Sequence, residues 1–542
     1  MRKILLVVAA LSVIYVSAIP FRDFWYPDEP DMAEITRAMV TSGERLMLRM
    51  NGELFSDYPP LYFWLTSAAA LTGGLSEMWL RLPTTLSALA LILLTAVWAR
   101  SRLGERSAFW TAVVLGTGYF FSYQAINMHL DMMFAFFIAS AVFCYDWARA
   151  AKFSRYRILF FVGSALLMGL AALTKGPAAI ILSCGVLLVI HVFYREWRLL
   201  GTLALVGLGS TTIFAIWAVL YSRTAGHTSL IHFIYEQSIT RFVAGWSHQR
   251  GWYYHFTAIW PNLFPWSFFL IFAIPSSWRE ARSGNRTQAL VLTWFVIIFL
   301  FFSFSSPGRV SYLLPLYPAV AVMIGSLLSN LLSEEPERRQ MIWSISLWPV
   351  ALILTVGGAF VATCFPKIVS VSPETPGLSF PVFTLGVALL IGGLRLMFCL
   401  WRRRSDKALY ALPFIIGVCH LFAFSWMLPV LDDPLSAKHD ALWLSNQISR
   451  DADNVVGFLH GKDAYPGEAT ALSFYGNLTI ERIDSKEDAE AYMARQPHGV
   501  IVLEKEDLEE VLYSAGWRIK VLKEFQIGGD RFFAVRMLPK VG

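Results

Sequence analysis

Charge is what this sequence has least of. Asp, Glu, Lys and Arg make up 15% of its 542 residues and hydrophobic residues 56%, and the mean hydropathy of +0.52 lies outside the soluble globular range. A soluble protein folded around one core is excluded, and many membrane spans are required. Cysteine is also scarce: Cys144, Cys184, Cys364, Cys399 and Cys419 lie in or beside apolar stretches without metal-type spacing. They imply no disulfide framework and read as small apolar fillers. The net charge of +6 is modest, and the basic residues sit in short loops between apolar runs. That argues against a nucleic-acid partner.

What is present is a series of apolar runs. Residues 4–20 form the first, preceded by Arg2 and Lys3; Val16-Ser17-Ala18 resembles a signal cleavage site, but a retained helix fits a polytopic chain better. Further spans are expected at 82–99, 107–125, 131–148, 158–173, 177–194, 199–221, 257–275, 288–304, 312–332, 341–362, 380–400 and 408–430. That makes an α-helical polytopic protein of about thirteen spans. Every second loop carries the arginines and lysines, for example Arg100, Arg102 and Arg106, then Arg149, Lys152, Arg155 and Arg157, and finally Arg402, Arg403, Arg404 and Lys407. Basic loops stay inside, so the N-terminus is expected inside, the C-terminus outside, and loops 21–60 and 222–256 outside. Residues 432–542 change character to ordinary soluble sequence. They read as a small α/β domain beyond a membrane domain at 1–431, with strands near 455–459, 499–503, 517–525 and 531–537, and helices near 438–448, 486–495 and 506–515.

The polar exceptions sort to one side. Seven carboxylates lie between Asp28 and Asp57. A helix is expected there, capped by Asp28 or Glu29, with Pro30 in its first turn and Gly43 as its stop. Met32, Ile35, Thr36, Met39 and Val40 would lie on the bilayer surface, and Asp31, Glu34 and Arg37 would form a solvated face opposite. Asp28 can point back toward the bundle. His129 and Asp131 open a span, where a helix cap is the bland role for Asp131. Lys175 is the lone cation of a short turn, where a headgroup anchor is the bland role. The loop 222–256 holds Glu236, Arg241, His248 and Arg250 beside Trp252-Tyr253-Tyr254, aromatics that suit an interfacial belt. Arg309 enters a span just before Tyr312.

Ionisable groups at membrane depth are costly and mark function. Outward carboxylates beside several cations suit transfer of a sugar from a lipid-linked phosphate: cations take up charge on the leaving phosphate, and a carboxylate activates the acceptor. The rival class, a transporter or flippase for lipid-linked saccharides, calls for charge near the midplane and matched halves, and neither is visible.

These residues also resemble a family. The acidic pair with Ala33-Glu34-Ile35 after it, Pro59-Pro60, Leu80-Arg81-Leu82-Pro83, Leu130-Asp131, Thr174-Lys175-Gly176, Arg241-Phe242 followed by His248, and Tyr312-Leu313-Leu314-Pro315 are similar to GT-C membrane glycosyltransferases. Within these the aminoarabinose lipid A transferases and the dolichyl-phosphate-mannose protein mannosyltransferases are most alike. The resemblance implies a GT-C fold and inverting transfer from a polyprenyl phosphate sugar, usually undecaprenyl phosphate, at the periplasmic face of the bacterial inner membrane. Lipid A, another envelope glycan or a protein would be the acceptor. It implies Asp28 as principal catalytic carboxylate and Asp131 as second acid, with Lys175, Arg241, Arg309 and Tyr312 at the lipid phosphate. It also implies a divalent metal, with Asp57 and His248 as ligand candidates. Aminoarabinose transferases typically carry Glu-Lys-Pro-Pro where this chain has Asp57-Tyr58-Pro59-Pro60, and Arg where it has Asp31, which leaves a different sugar or acceptor open.

Overall fold

The computed structural model describes residues 1–226, 250–305, 308–332, 336–365, 377–448, 455–459, 467–496, 499–504, 518–527 and 530–538. Its first half runs through α1 (Arg2–Ala18), α2 (Asp28–Ser42), a small hairpin of β1 (Leu48–Met50) and β2 (Glu53–Phe55), α3 (Leu61–Gly73), α4 (Glu77–Leu103), α5 (Glu105–Thr117) and α6 (Tyr119–Ala125). Then follow α7 (Leu130–Ala150), α8 (Ser154–Lys175), α9 (Ala178–Phe193) and α10 (Trp197–Ala225). Beyond the loop a helix at Tyr254–Asn262 turns by 113° into Ser267–Arg282. Arg286–Ser303, Tyr317–Leu331, Pro336–Thr363, Ser379–Trp401 and Ser405–Phe422 complete the bundle.

Among the described residues nine helices are long and apolar enough to cross a membrane, or ten if the bent pair is one span. The chain is a multi-pass membrane protein. The difference from thirteen falls on α1, α5 and α9, which have 17, 13 and 16 residues. A bilayer core asks for about 20. Helices apolar on every side occupy the middle: 83% of the apolar window of α7 is buried, and 94% of that at Val310–Leu331, against 22% at Ser405–Leu431, whose surface is left to lipid.

Helix α2 departs from expectation on both faces. Met32, Ile35, Thr36 and Met39 are buried against the bundle rather than laid on a bilayer surface, and Thr36 Oγ1 lies 2.9 Å from Thr66 Oγ1 of α3. The opposite face is not solvated. Glu34 and Arg37 form an ion pair, at 2.7 Å, but Glu34 is 1% exposed, because the C-terminal domain lies over it. The helix ends at Gly43, whose φ of +72° turns the chain while its N–H returns to Met39 O.

The C-terminal residues form a five-stranded sheet in the order β4 (Thr479–Ile483), β3 (Val455–Leu459), β5 (Val500–Glu504), β7 (Asp530–Leu538), β6 (Arg518–Ile527). β3 is parallel to β4 and β5, whereas β7 is antiparallel to β5 and β6. Val500 and Val502 face a core shared with the helices Lys438–Ile448 and Gly467–Gly476, while Ile501 and Leu503 face one built with Tyr492 and Met493 of Lys486–Arg495. A strand buried on both faces reads as a continuous apolar run, as Val500-Ile501-Val502-Leu503 does. The helix Gly467–Gly476 and strand β4 were not anticipated, and the helix expected at 506–515 lies outside the described residues.

Candidate active site

The site begins with a carboxylate expected only as a helix cap, a role it does not take, since α2 is capped by Pro27. Glu29, in the first turn of α2, accepts from Arg81 through both oxygens, at 2.7 and 2.8 Å, from the Met128 N–H at 2.8 Å and from the Trp25 N–H at 3.2 Å. Arg22 stands 2.9 Å away. Burial alone would raise this carboxyl, but Arg22 and Arg81 hold it down at about 2. Arg81, fully buried in α4, also donates to the carbonyls of Ile19, Arg22 and Asp23. This knot closes the loop 19–27 and fixes where α2 starts. The available signal was the arginine in Leu80-Arg81-Leu82-Pro83, since a cation inside an apolar helix must find an acid.

With Glu29 turned inward, Asp28 is left facing a cavity of about 380 Å³. Its side chain is 43% exposed, and Oδ1 accepts from Arg309 Nη1 at 3.0 Å. Arg309 comes from the turn leading into the 3-10 segment Val310–Leu316, which enters the buried helix Tyr317–Leu331. Burial weakens the Arg309 charge, but the Asp28 carboxylate and the phenols of Tyr58 and Tyr312 raise its pKa above the ordinary value. Gly308 lets this turn approach Arg250: a Cβ there would stand 2.5 Å from that side chain. Arg250, Trp25, Tyr123, Asn127 and Tyr254 complete much of the wall.

Behind the cavity lies a second group. Asp131 in the first turn of α7 is buried and takes Lys175, the last residue of α8, on Oδ1. The helix cap is His129, whose Nδ1 accepts the Asp131 N–H at 3.3 Å; Asp131 is a pairing residue, not a cap. Lys175 turns inward rather than to headgroups, its ammonium lying 4.2 Å from the Tyr312 ring centroid. Ser311 and His129 line the cavity, and His129 Nδ1 lies 3.2 Å from Asp131 Oδ2. The structure therefore brings Asp28 and Arg309 together at the cavity, and Asp131, Lys175 and Tyr312 together one layer deeper, joined through residues 309–312.

Asp57 follows β2, next to Ser56, whose hydroxyl is 3.0 Å from Tyr221 OH. Arg241 and His248 lie outside the described residues. Among the described residues no three His, Cys, Asp or Glu side chains stand close enough to hold a metal ion. The carboxylates and cations at the cavity can carry proton transfer and charge pairing. Trp252 and Tyr253 are exposed, as a belt would be, but Tyr254 faces the cavity.

The profile of the family described as dolichyl-phosphate-mannose-protein mannosyltransferase matches residues 1–279. An uncharacterized protein of Aquifex aeolicus is 27% identical over 373 residues, 68% of this chain and 72% of that one. The undecaprenyl phosphate-alpha-4-amino-4-deoxy-L-arabinose arabinosyl transferase 2 of Proteus mirabilis is 26% identical over 313 residues, 57% of this chain, and the match spans only 56% of that protein's length. Among solved structures, ArnT from Cupriavidus metallidurans bound to undecaprenyl phosphate superposes with a TM-score of 0.78 at 21% identity, covering 98% of this chain and 97% of that one. The oligosaccharyltransferase AglB of Archaeoglobus fulgidus, at TM-score 0.55 and 10% identity, covers 94% of this chain and 70% of its own. With more than half of its length matched by the family profile, the chain belongs to the dolichyl-phosphate-mannose-protein mannosyltransferase family, the glycosyltransferases with the GT-C fold.

Proposed function

We propose that the protein moves a sugar from an undecaprenyl phosphate donor to an acceptor at the periplasmic face of the bacterial inner membrane, with inversion, and that lipid A or another envelope glycan is the acceptor. The observation that carries this is the pair at the cavity: a half-exposed Asp28 held 3.0 Å from Arg309. An anionic phosphate entering the cavity competes for Arg309, through charge-assisted hydrogen bonds of the same kind. Asp28 is then released to accept the proton of the acceptor hydroxyl. The hydroxyl oxygen bonds to the anomeric carbon as that carbon parts from the phosphate oxygen. The bonding electrons leave with the phosphate, where Arg309 meets the developing charge. Lys175, paired with buried Asp131 and set against Tyr312, adds positive potential from the deeper layer. Arg241 joins the phosphate site in this reading, and Asp57 with His248 would hold a divalent metal if one is required.

The donor is supported by the names of the relatives from Proteus mirabilis and Pectobacterium atrosepticum and by the lipid in the Cupriavidus metallidurans structure. The family description supports a protein acceptor as the second reading. Purified protein is to be assayed with an undecaprenyl phosphate sugar, and lipid A, envelope glycans and glycoproteins of a deletion strain compared by mass spectrometry. A lost sugar on lipid A supports the first acceptor, and a lost sugar on protein the second. An unchanged envelope together with no transfer in vitro would sink the reaction.

A further inference from the structure

Asp28 is aimed by more than its own helix. On the bundle side Glu29 fixes the start of α2, but the loop that delivers it is gripped from the other side by the C-terminal residues. Asp432 accepts the Asp23 N–H at 3.1 Å and the Trp25 indole N–H at 2.7 Å. Tyr475 OH accepts the Phe24 N–H at 2.7 Å and donates to Glu77 at 3.2 Å. Lys438 bridges Asp23 at 2.8 Å and Glu77 at 2.7 Å. Gly467 lies against the Tyr26 ring, where a Cβ would stand 2.7 Å from it. Each residue from Asp23 to Tyr26 thus has a partner beyond Leu431, and the next two residues are Pro27 and Asp28.

One helical turn past Asp28 the grip continues. Thr470 Oγ1 lies 2.6 Å from Asp31 Oδ1 and 2.6 Å from the Gly467 carbonyl, so its one proton is shared between the two acceptors, and both Thr470 and Asp31 are buried. Arg37 reaches Asn477 Oδ1 at 3.0 Å and Ser473 Oγ at 3.3 Å. Charged and hydroxyl groups so placed make a specific, directional contact, where an apolar face would tolerate sliding.

We propose that the α/β domain is a positioning element for the reaction: through Thr470 on Asp31, and Lys438 and Tyr475 on the loop 23–26, it sets the distance and angle of Asp28 to the cavity. This rests on the transfer reaction proposed above. Thr470 touches neither substrate nor reacting atoms, so it is a positioning residue, and its loss misplaces Asp28 without removing it. Small misplacements of a reacting group cost rate more than binding.

The test compares wild-type protein with Thr470→Val, which keeps the side-chain shape, and Thr470→Ser, which restores the hydroxyl. Steady-state transfer and hydrogen–deuterium exchange of the full-length protein are both measured. Thr470→Val is expected to lower kcat about tenfold with donor KM unchanged, and to speed amide exchange in residues 23–31 while α4 and α7 stay protected; Thr470→Ser is expected to restore both. Unchanged exchange in 23–31 overturns the proposal, and so does faster exchange with kcat intact or with KM alone affected. If the wild-type protein transfers no sugar, the proposed reaction fails; exchange confined to 23–31 then still upholds the grip on Asp28, and exchange spread through the bundle removes it. A Lys438→Met variant repeats the measurement from the other end of the contact.

Discussion

The acids at the two ends of the helical bundle are held in two ways, and at one end both ways occur side by side. At the end away from the α/β domain, Asp146 accepts from Trp98 Nε1 at 3.0 Å and Arg102 Nε at 2.7 Å, with Arg149 3.5 Å away. Glu196 meets His191 at 2.8 Å and Arg286 at 2.7 Å, and the far ring nitrogen of His191 is 2.9 Å from Tyr145 OH. At the domain end Glu29 is saturated in the same manner, whereas its neighbour Asp28 has one arginine and a cavity. Acids thus divide by how fully they are paired: Glu29 and Asp146 are held by several donors and lock helices together, whereas Asp28, with Arg309 on one oxygen, borders the cavity. Adjacent residues of one helix turn fall on opposite sides of that division.

The division can be broken experimentally. Asp28→Asn should cut transfer by about 10²–10⁴-fold, with the melting temperature in detergent close to wild type. Retained turnover would move the catalytic role elsewhere. Glu29→Ala should do the reverse: it leaves two buried arginines without their acid, costing about 3–5 kcal/mol of stability. That is read as loss of folded protein on size-exclusion chromatography, and a well-folded, inactive variant would contradict it. Asp146→Asn should cost about 1–3 kcal/mol, seen as a lower melting temperature with kcat unchanged. A fall in kcat there would mean that the far end is coupled to the cavity.

The smallest effect concerns Asp432. Burial, with Asp23 nearby, raises its carboxyl to about 6, above the value of about 3.9 for an unfolded chain. A group raised on folding favours the fold in its protonated form, so this contribution is full below about pH 4 and is lost as pH rises through 6. Asp432→Asn should therefore melt higher relative to wild type at pH 7.5 than at pH 5. Burial works against the Lys438 charge, but its hydrogen bonds to Asp23 and Glu77 raise its pKa above the ordinary value, so it does not titrate over that interval. An equal difference at both pH values would remove Asp432 from the titration.

Much of this was legible in the sequence. Hydropathy located most of the helices to within a few residues, because long apolar helices carry the strongest periodic signal. It also singled out Asp28, Asp131, Lys175 and Arg309, since charge in an apolar chain stands out, and Tyr312 through its place just after Arg309. What stayed hidden was pairing across distance. Glu29 and Arg81 are 52 positions apart, and nothing local links them. The polar face of α2 was misread for a related reason: a pattern shows that a face is not apolar, but not whether water or another polar surface covers it. Asp31 therefore looked wet, although it is buried against Thr470.

The Lys438–Asp23 contact joins residues 415 positions apart, which has a consequence for biosynthesis. A ribosome adding about 5–20 residues per second needs about 20–80 s to travel from one to the other. The segment that carries Asp28 emerges early and waits, incompletely fastened, until nearly the whole chain has followed. A nascent chain cut short before residue 438 would be inserted, yet would lack the contacts that Lys438, Thr470 and Tyr475 make with the segment around Asp28.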